Sequence, residues 1–353
     1  MLRTCVDELQ NNPHCAQSAS EHRHSFTDIE FSTNVNTGQA PSAEYVDLKQ
    51  EEHSVTHWGQ MKLLLGEIEF LTPYLSVSNL TIVYAGSSPG HHLMALVNLM
   101  PSSWQWLLYD ARPCEVYYTD GDAQLEKVGK STIVLTRVRN HRVHVYTRNL
   151  NAMEARCIRD RHVVRPQSVS DPQLLLISDI RTPLNRISEH SVNRDMDLQL
   201  NITRALGPFQ ASLKFKLPYT NLFLPTAYYV KGSLQYQPYS PPISHETRLV
   251  AGPDFTNLVP YNTEEYARQM FHYQTVLRTS LYHRTSQVAD PALHPFLVEH
   301  RVATDHCYDC TCARRIAGNF TDSNAMDLLN DLAGQVSAMQ LACKAESGNM
   351  LDE

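Results

Sequence analysis

Residues 80–90 read Leu-Thr-Ile-Val-Tyr-Ala-Gly-Ser-Ser-Pro-Gly. Leu80–Ala85 is a short run that is apolar in register with both faces of a strand, the pattern of a strand covered on both sides. It passes straight into a turn with two glycines, Gly86 and Gly90. Glycines at a strand-to-helix turn let backbone N–H groups approach a ligand closely. The next apolar run, Trp106–Asp110 (WLLYD), ends on an acid 20 residues beyond Gly90, where a carboxylate can accept from a ribose diol. A tight turn would by itself account for the glycines; turn and acid together point to a nucleoside-containing cofactor. Pro89 and the GxxxG spacing suit S-adenosylmethionine better than a dinucleotide, whose fingerprint is GxGxxG.

Working outward, residues 58–71 (WGQMKLLLGEIEFL) place Met61, Leu64, Leu65, Ile68 and Leu71 at helical spacing, with Lys62 inside the helix. Downstream lie further apolar runs, Thr132–Arg137 (TIVLTR) and Leu174–Ile180 (LLLISDI), separated by helix-length segments. Such spacing predicts a parallel sheet with helices on both faces. Ala211–Leu217, Asn221–Val230 and Glu246–Ala251 then follow closely, which predicts an antiparallel portion at the end of the sheet. Asn262 and Glu265 hold the two positions of a capping box, opening a helix with the stripe Tyr266, Met270, Tyr273, Val276 and Leu277. A last helix is expected from Ser323 to about Lys344.

The chain of 353 residues is long enough for a sizeable core. Its formal net charge of −7 gives no global basic signature, so any RNA contact requires a local basic groove. No apolar run reaches the ~18–20 residues that span a bilayer, and Met1–Ala19 lacks a secretory apolar region. Eight cysteines spread thinly over the chain do not form a disulfide framework. Residues 1–44 read as a flexible polar tail, 45–320 as the main domain, and 321–353 as a C-terminal helix and tail.

Four ionisable residues stand on otherwise apolar elements: Lys62 on a helix, Asp179 at a strand end, Lys214 within a strand and Glu246 opening another. Each is costly to bury unpaired. Two structural salt bridges would account for all four. The alternative is a Lys-Asp-Lys-Glu tetrad that removes the proton of a ribose hydroxyl during methyl transfer. A lysine serves as base when desolvation and a second cation lower its pKa.

The blocks GQMKLLLGE (59–67), YAGSSPG (84–90), YDAR (109–112), LTRV (135–138), LISDIR (176–181), LKFKLPY (213–219) and SHETRL (244–249) occur in the order and spacing of a known family. Over residues 45–285 the chain resembles the poxvirus cap-specific 2′-O-methyltransferases, whose members double as the small processivity subunit of the viral poly(A) polymerase. The resemblance implies a Rossmann-like α/β methyltransferase fold. It implies Lys214 as base, with Lys62, Asp179 and Glu246 completing the tetrad. S-adenosylmethionine contacts would fall on Gln60, Tyr84, Gly86, Gly90, Asp110, Arg112, Val138 and Asp179. No metal is required. A poly(A) polymerase catalytic subunit would be the partner, and the virion and host cytoplasm the locations.

The family also stacks 7-methylguanine between two aromatic rings, a cation–π arrangement. Tyr219 and Tyr45 match those positions, with Lys216, Ser244, His245 and Glu246 alongside. One family carboxylate position holds Asn221, another holds Ala267 with Glu264 or Glu265 as substitute, and Ile243 replaces a tyrosine. Those departures keep open a 2′-O-methyltransferase acting on uncapped RNA; the other alternative is a non-catalytic subunit that keeps the fold and holds RNA for a poly(A) polymerase, and the intact tetrad argues against it. The arginine-rich stretch Arg137–Arg165 is either a solvated helix face or an RNA or partner surface. Cys307, Cys310 and Cys312 read as packing or free thiols rather than metal ligands.

Overall fold

A computed structural model of the chain describes residues 23–25, 34–35, 58–112, 114, 124–128, 131–138, 141–163, 174–182, 189–217, 226–241, 244–278, 281–283, 306–321 and 325–349. In chain order its principal elements are β1 (Arg23–Ser25), β2 (Asn34–Val35), α1 (Gly59–Leu71), β3 (Thr81–Ala85), α2 (Leu93–Leu99), β4 (Gln105–Asp110), β5 (Gln124–Val128), β6 (Ser131–Val138), β7 (His141–Thr147), α3 (Ala152–Val163), β8 (Leu174–Ser178), α4 (Glu189–Leu206), β9 (Gln210–Phe215), β10 (Thr226–Val230), β11 (Gly232–Gln235), β12 (Thr247–Ala251), β13 (Leu258–Asn262), α5 (Thr263–His272), β14 (Leu281–His283), β15 (His306–Cys307), α6 (Tyr308–Phe320) and α7 (Ala325–Asn349).

Among the described residues the main sheet has ten strands in the order β2-β11-β12-β9-β8-β3-β4-β7-β6-β5. Strands β9, β8, β3, β4 and β7 run parallel. Antiparallel strands extend both edges. The mixed α/β expectation holds, and the antiparallel part lies at two ends rather than one. Strand β3 shows why its sequence is apolar throughout. Val83 and Ala85 pack on the face covered by α3 and α4, with Ile158, Leu200 and Ile202. Ile82 and Tyr84 face α1, α2, α6 and α7, with Leu64, Leu96, Ile316 and Leu332. The last helix therefore shares the core of the sheet, and Trp58 Nε1 donates to Gln340 Oε1 at 3.3 Å.

One strand reading is corrected. Thr132–Arg137 is not a parallel strand: β6 runs antiparallel to β7, and β7 is the strand that joins β4 in parallel. Only residues 139–140 separate the two. A connection that short makes a hairpin, whereas a parallel crossover needs a dozen residues or more. The helix α6, at whose start Cys310 and Cys312 lie, is not among the elements expected from the sequence. In the tail, two short strands are described: β1 pairs with β14, and β2 with β11.

Candidate active site

Strand β3 leads through α2 to β4 on one side, whereas β8 lies on its other side, so the strand order reverses between them. In open α/β sheets ligands bind outside the carboxyl ends of the strands at that point. The glycine turn and Asp179 both emerge there. Gly86 has φ +87° and Gly90 φ +78°, which side-chain-bearing residues adopt at a cost. A Cβ on Gly86 would come within 2.6 Å of the Asp179 carbonyl. Gly86 N and Ser87 N donate to Tyr109 O at 2.8 and 3.2 Å, which fastens the turn to β4. At the end of β4, Asp110 is buried and aims its carboxylate into the turn. It accepts from Ser88 N at 3.1 Å and from Arg112 N at 2.8 Å. Arg112 also reaches Asp110 Oδ2 and Ser88 O, both at 3.3 Å. A turn framed by two glycines in the left-handed region and faced by a carboxylate suits a nucleoside diol.

Four of the ionisable residues singled out by the sequence meet at the end of β8 and β9. Lys62 Nζ lies 2.7 Å from Glu246 Oε1, and Lys214 Nζ lies 2.9 Å from Asp179 Oδ1 and 3.6 Å from Glu246 Oε2. Two arginines missed by the sequence reading complete the cluster. Arg248 NH2 is 2.6 Å from Asp179 Oδ1, and Arg181 NH2 is 2.6 Å from Glu246 Oε2. Their signal was strand periodicity: side chains at i and i+2 share a face, and Arg248 follows Glu246 by two on an element where it faces Lys214 in register. Four cations, Lys62, Arg181, Lys214 and Arg248, thus surround two carboxylates.

Burial sets the electrostatics of this cluster. It lowers the Lys214 pKa; Asp179 and Glu246 oppose that, while Arg181 and Lys62 reinforce it. Burial alone would raise the Asp179 carboxyl, but Lys214 and Arg248 overcome it and hold the group at about 2. Glu246 is held well below the carboxylate range in the same way, burial being outweighed by Lys214, Lys62, Arg181 and Arg248. Each carboxylate is thus tied to a second cation, which limits how far it can raise Lys214. An open cavity of about 440 Å³ adjoins the cluster, lined by Arg181, Ser191, Asp195, Lys214, Lys216 and Glu246.

The other expected residues divide. Gln60 contacts His92 rather than the turn directly, at 2.8 Å. Tyr84 is buried beneath the turn, and its hydroxyl donates to Glu67 at 2.5 Å. Val138 is misplaced as a cofactor residue. It pairs with His141 at the start of β7, whereas Asp110 pairs with Thr147 at its end. Another Thr-Arg pair, Thr147-Arg148, lies at the edge where Asp110 stands.

Among the cap candidates, Lys216 lines the cavity. Ser244 Oγ accepts from Glu246 N at 3.2 Å. His245 is buried; burial and Lys216 push it down to about 4. The capping box is half made: Asn262 Oδ1 accepts from Glu265 N at 2.9 Å, but the Glu265 carboxylate accepts from Gln269 instead. Ala267 is buried in α5. Tyr45, Tyr219, Asn221 and Ile243 lie outside the described residues. In the arginine-rich stretch, Arg156 and Arg161 are exposed on α3, while Arg148 pairs with Glu154. Cys312 is buried inside α6, and burial pushes its thiol up; the Cys307 and Cys310 side chains lie outside the described residues.

The chain has relatives among known proteins. Over 276 residues the chain is 28% identical to the cap-specific mRNA (nucleoside-2′-O-)-methyltransferase of Fowlpox virus (strain NVSL), covering 74% of this chain and 82% of that protein. Over 240 residues it is 26% identical to the proteins of the same name from Myxoma virus strains Lausanne and Uriarra, covering 64% of this chain and 63% of theirs. Residues 39–316 match the family described as poly A polymerase regulatory subunit, a span that runs from before α1 into α6 and takes in the whole ionic cluster and the glycine turn. The chain belongs to the poly A polymerase regulatory subunit family.

Proposed function

We propose that this protein transfers a methyl group from S-adenosylmethionine to the ribose 2′-hydroxyl of the first transcribed nucleotide of capped mRNA, with Lys214 as the base. The observation that carries this reading is a buried lysine of lowered pKa beside an open cavity, with each flanking carboxylate bound to a further cation. The glycine turn and Asp110 fit the nucleoside part of the cofactor. When bound there, S-adenosylmethionine supplies an electrophilic methyl group. Lys214 Nζ takes the proton of the 2′-hydroxyl as the oxygen becomes nucleophilic. The new ammonium then sits between Asp179 and Glu246, which stabilise it. Lys62 and Arg248 orient those carboxylates, and Arg181 adds a positive edge to the cavity that suits a phosphate.

A second role as processivity subunit of a poly(A) polymerase is supported by the family to which the chain belongs. It would place a polymerase catalytic subunit and capped mRNA among the partners, and the virion and host cytoplasm as the locations. Among the described residues no helix is long and apolar enough to cross a membrane. Methyl transfer to capped and uncapped RNA of one sequence tests the first role. Transfer to capped RNA alone is expected; equal transfer to both would replace it with a cap-independent enzyme, and none to either with a binding subunit.

A further inference from the structure

The ladder between β8 and β9 ends one residue short of Lys214. Its last register pair is Ser178 with Leu213, and the next residue of β8's path, Asp179, donates its N–H to Ala85 O at 2.8 Å instead. Among the described residues Lys214 pairs in register with Arg248 of β12 and with no residue of β8. A backbone carbonyl left by its ladder needs another donor. Gln199 supplies it from α4: its Nε2 donates to Lys214 O at 2.6 Å and to the Tyr229 hydroxyl at 2.9 Å. Tyr229, on β10, gives its own proton to Met196 O of α4 at 2.9 Å. Gln199 is 2% and Tyr229 3% exposed. The orientation of the amide is fixed, because Lys214 O can only accept, and turning the amide over would set two oxygens against each other. Gln199 Oε1 has no hydrogen-bond partner among the described residues. One buried acceptor is thus satisfied while another is left unsatisfied, so by that count the contact adds little to folding. What it adds is a fixed place for Lys214.

We propose that Gln199 is a positioning residue for Lys214: reaching across from α4, it holds the β9 backbone where the ladder with β8 has stopped, and thereby sets where Lys214 Nζ meets the ribose hydroxyl. The inference rests on the reading of Lys214 as the base. In its charged form the head of Lys214 is held by Asp179 at 2.9 Å and Glu246 at 3.6 Å. The form that takes a proton is neutral, and the charge that strengthens those contacts is then gone. A neutral amine on a flexible four-carbon stem is placed by its root. The next residue, Phe215, is fixed by packing against the rings of Tyr229, Tyr261 and Tyr266. Gln199 fixes Lys214 itself, and Tyr229 touches both anchors. Gln199 and Lys214 line the same cavity, so the anchor stands at the site.

Single-turnover methyl transfer to capped RNA, measured with the full chain on the pH plateau, reads this out. Gln199→Met keeps the length and loses the donor. It should slow the step roughly 10- to 100-fold, the scale on which a displaced catalytic group acts, while affinities for S-adenosylhomocysteine and capped RNA stay within about twofold. Tyr229→Phe is the control. It removes a hydrogen bond of the same buried network but leaves the bond to Lys214, so it should lower the denaturant midpoint and keep the rate close to the parent's. Because Gln199 acts through Lys214, adding Gln199→Met to Lys214→Met should slow transfer no further. An unchanged rate in Gln199→Met, an equal loss in Tyr229→Phe, or losses that multiply in the double variant overturns the proposal. If Gln199→Met does not fold, Gln199→Asn decides it. That variant keeps the amide but stops one methylene short of Lys214 O, so the same loss is expected, and an unchanged rate overturns the proposal. Lys214→Met alone separates the two levels. If it stops transfer while Gln199→Met does not slow it, only the role of Gln199 is removed. If Lys214→Met turns over as the parent does, the reading of the base falls, and Gln199 with it.

Discussion

Arg278 and Asp309 form an ion pair at least as deeply buried as any around Lys214. Their side chains are 0% and 2% exposed, against 14% for Lys214 and 17% for Asp179. Arg278 Nε and NH2 grip both Asp309 oxygens at 2.6–3.1 Å, and NH1 donates to Gln274 and Ser240. That pair is balanced, one cation to one anion, and joins the segment that follows α5 to α6. The cluster at Lys214 has twice as many cations as anions and borders an open cavity. A balanced, closed pair holds two segments together. An imbalanced, open cluster stores positive charge where a proton or an anionic ligand can enter. Burial by itself therefore does not mark the functional group of charges; surplus charge and access do.

Three measurements test that contrast. The largest effect is expected at Lys214. Lys214→Met should reduce methyl transfer by roughly 10²–10⁴-fold, the usual contribution of a positioned base, while cofactor binding survives. Lys214→Arg should fail equally, because a guanidinium keeps its proton at working pH. Removing a surplus cation should leave the fold intact. The working form of Lys214 is neutral, so single-turnover rates of the parent should rise with pH to a plateau. The lowered pKa places that rise below the ordinary lysine range. Near-normal turnover in Lys214→Met would break the comparison at its functional end.

Arg278→Met should do the reverse, destabilising the chain by about 3–5 kcal/mol because it leaves Asp309 buried and unpaired. Replacing both partners by apolar residues should recover much of that loss. Denaturant midpoints check this; a single variant as stable as the parent would show that the pair is not structural. The smallest effect is expected in acid. Asp179 is held at about 2 against an ordinary 3.8, so its ionised form contributes stability that is full above pH ~4 and disappears as pH falls through ~2. The shift corresponds to roughly 2 kcal/mol. Asp179→Ala should flatten stability over that interval; an unchanged acid limb would assign the loss to other carboxylates.

Much of the site was legible because it obeys local rules. Lys62, Asp179, Lys214 and Glu246 stood out as charges on apolar elements, and the structure brings them within 2.7–3.6 Å of one another in pairs. The same rule applies with equal force to Glu67, a carboxylate inside the same apolar helix as Lys62, and the sequence reading missed it. Its partner His92 stands 25 positions away. Arg181 and Arg248 lie two residues beyond Asp179 and Glu246, close enough to be overshadowed by them. Val138 failed for another reason. The dipeptide Thr-Arg follows an apolar alternation both at 136–137 and at 147–148, and sequence alone does not say which of these two sits at the carboxyl edge of the sheet.

By itself the sequence determined the elements and the kinds of chemistry: apolar runs make strands, two glycines make a turn open to a ligand, and a charge on a buried face demands a partner. Those are local statements about side-chain periodicity and solvation. Only the tertiary structure decided the direction of β6, the edge at which Val138 falls, and which cation answers which carboxylate. A β-branched run reads the same in parallel and antiparallel pairing, and the pairings Arg248–Asp179 and His92–Glu67 join segments 69 and 25 residues apart. Register across the sheet brings such groups together, and register is a property of strand pairing that no single segment carries.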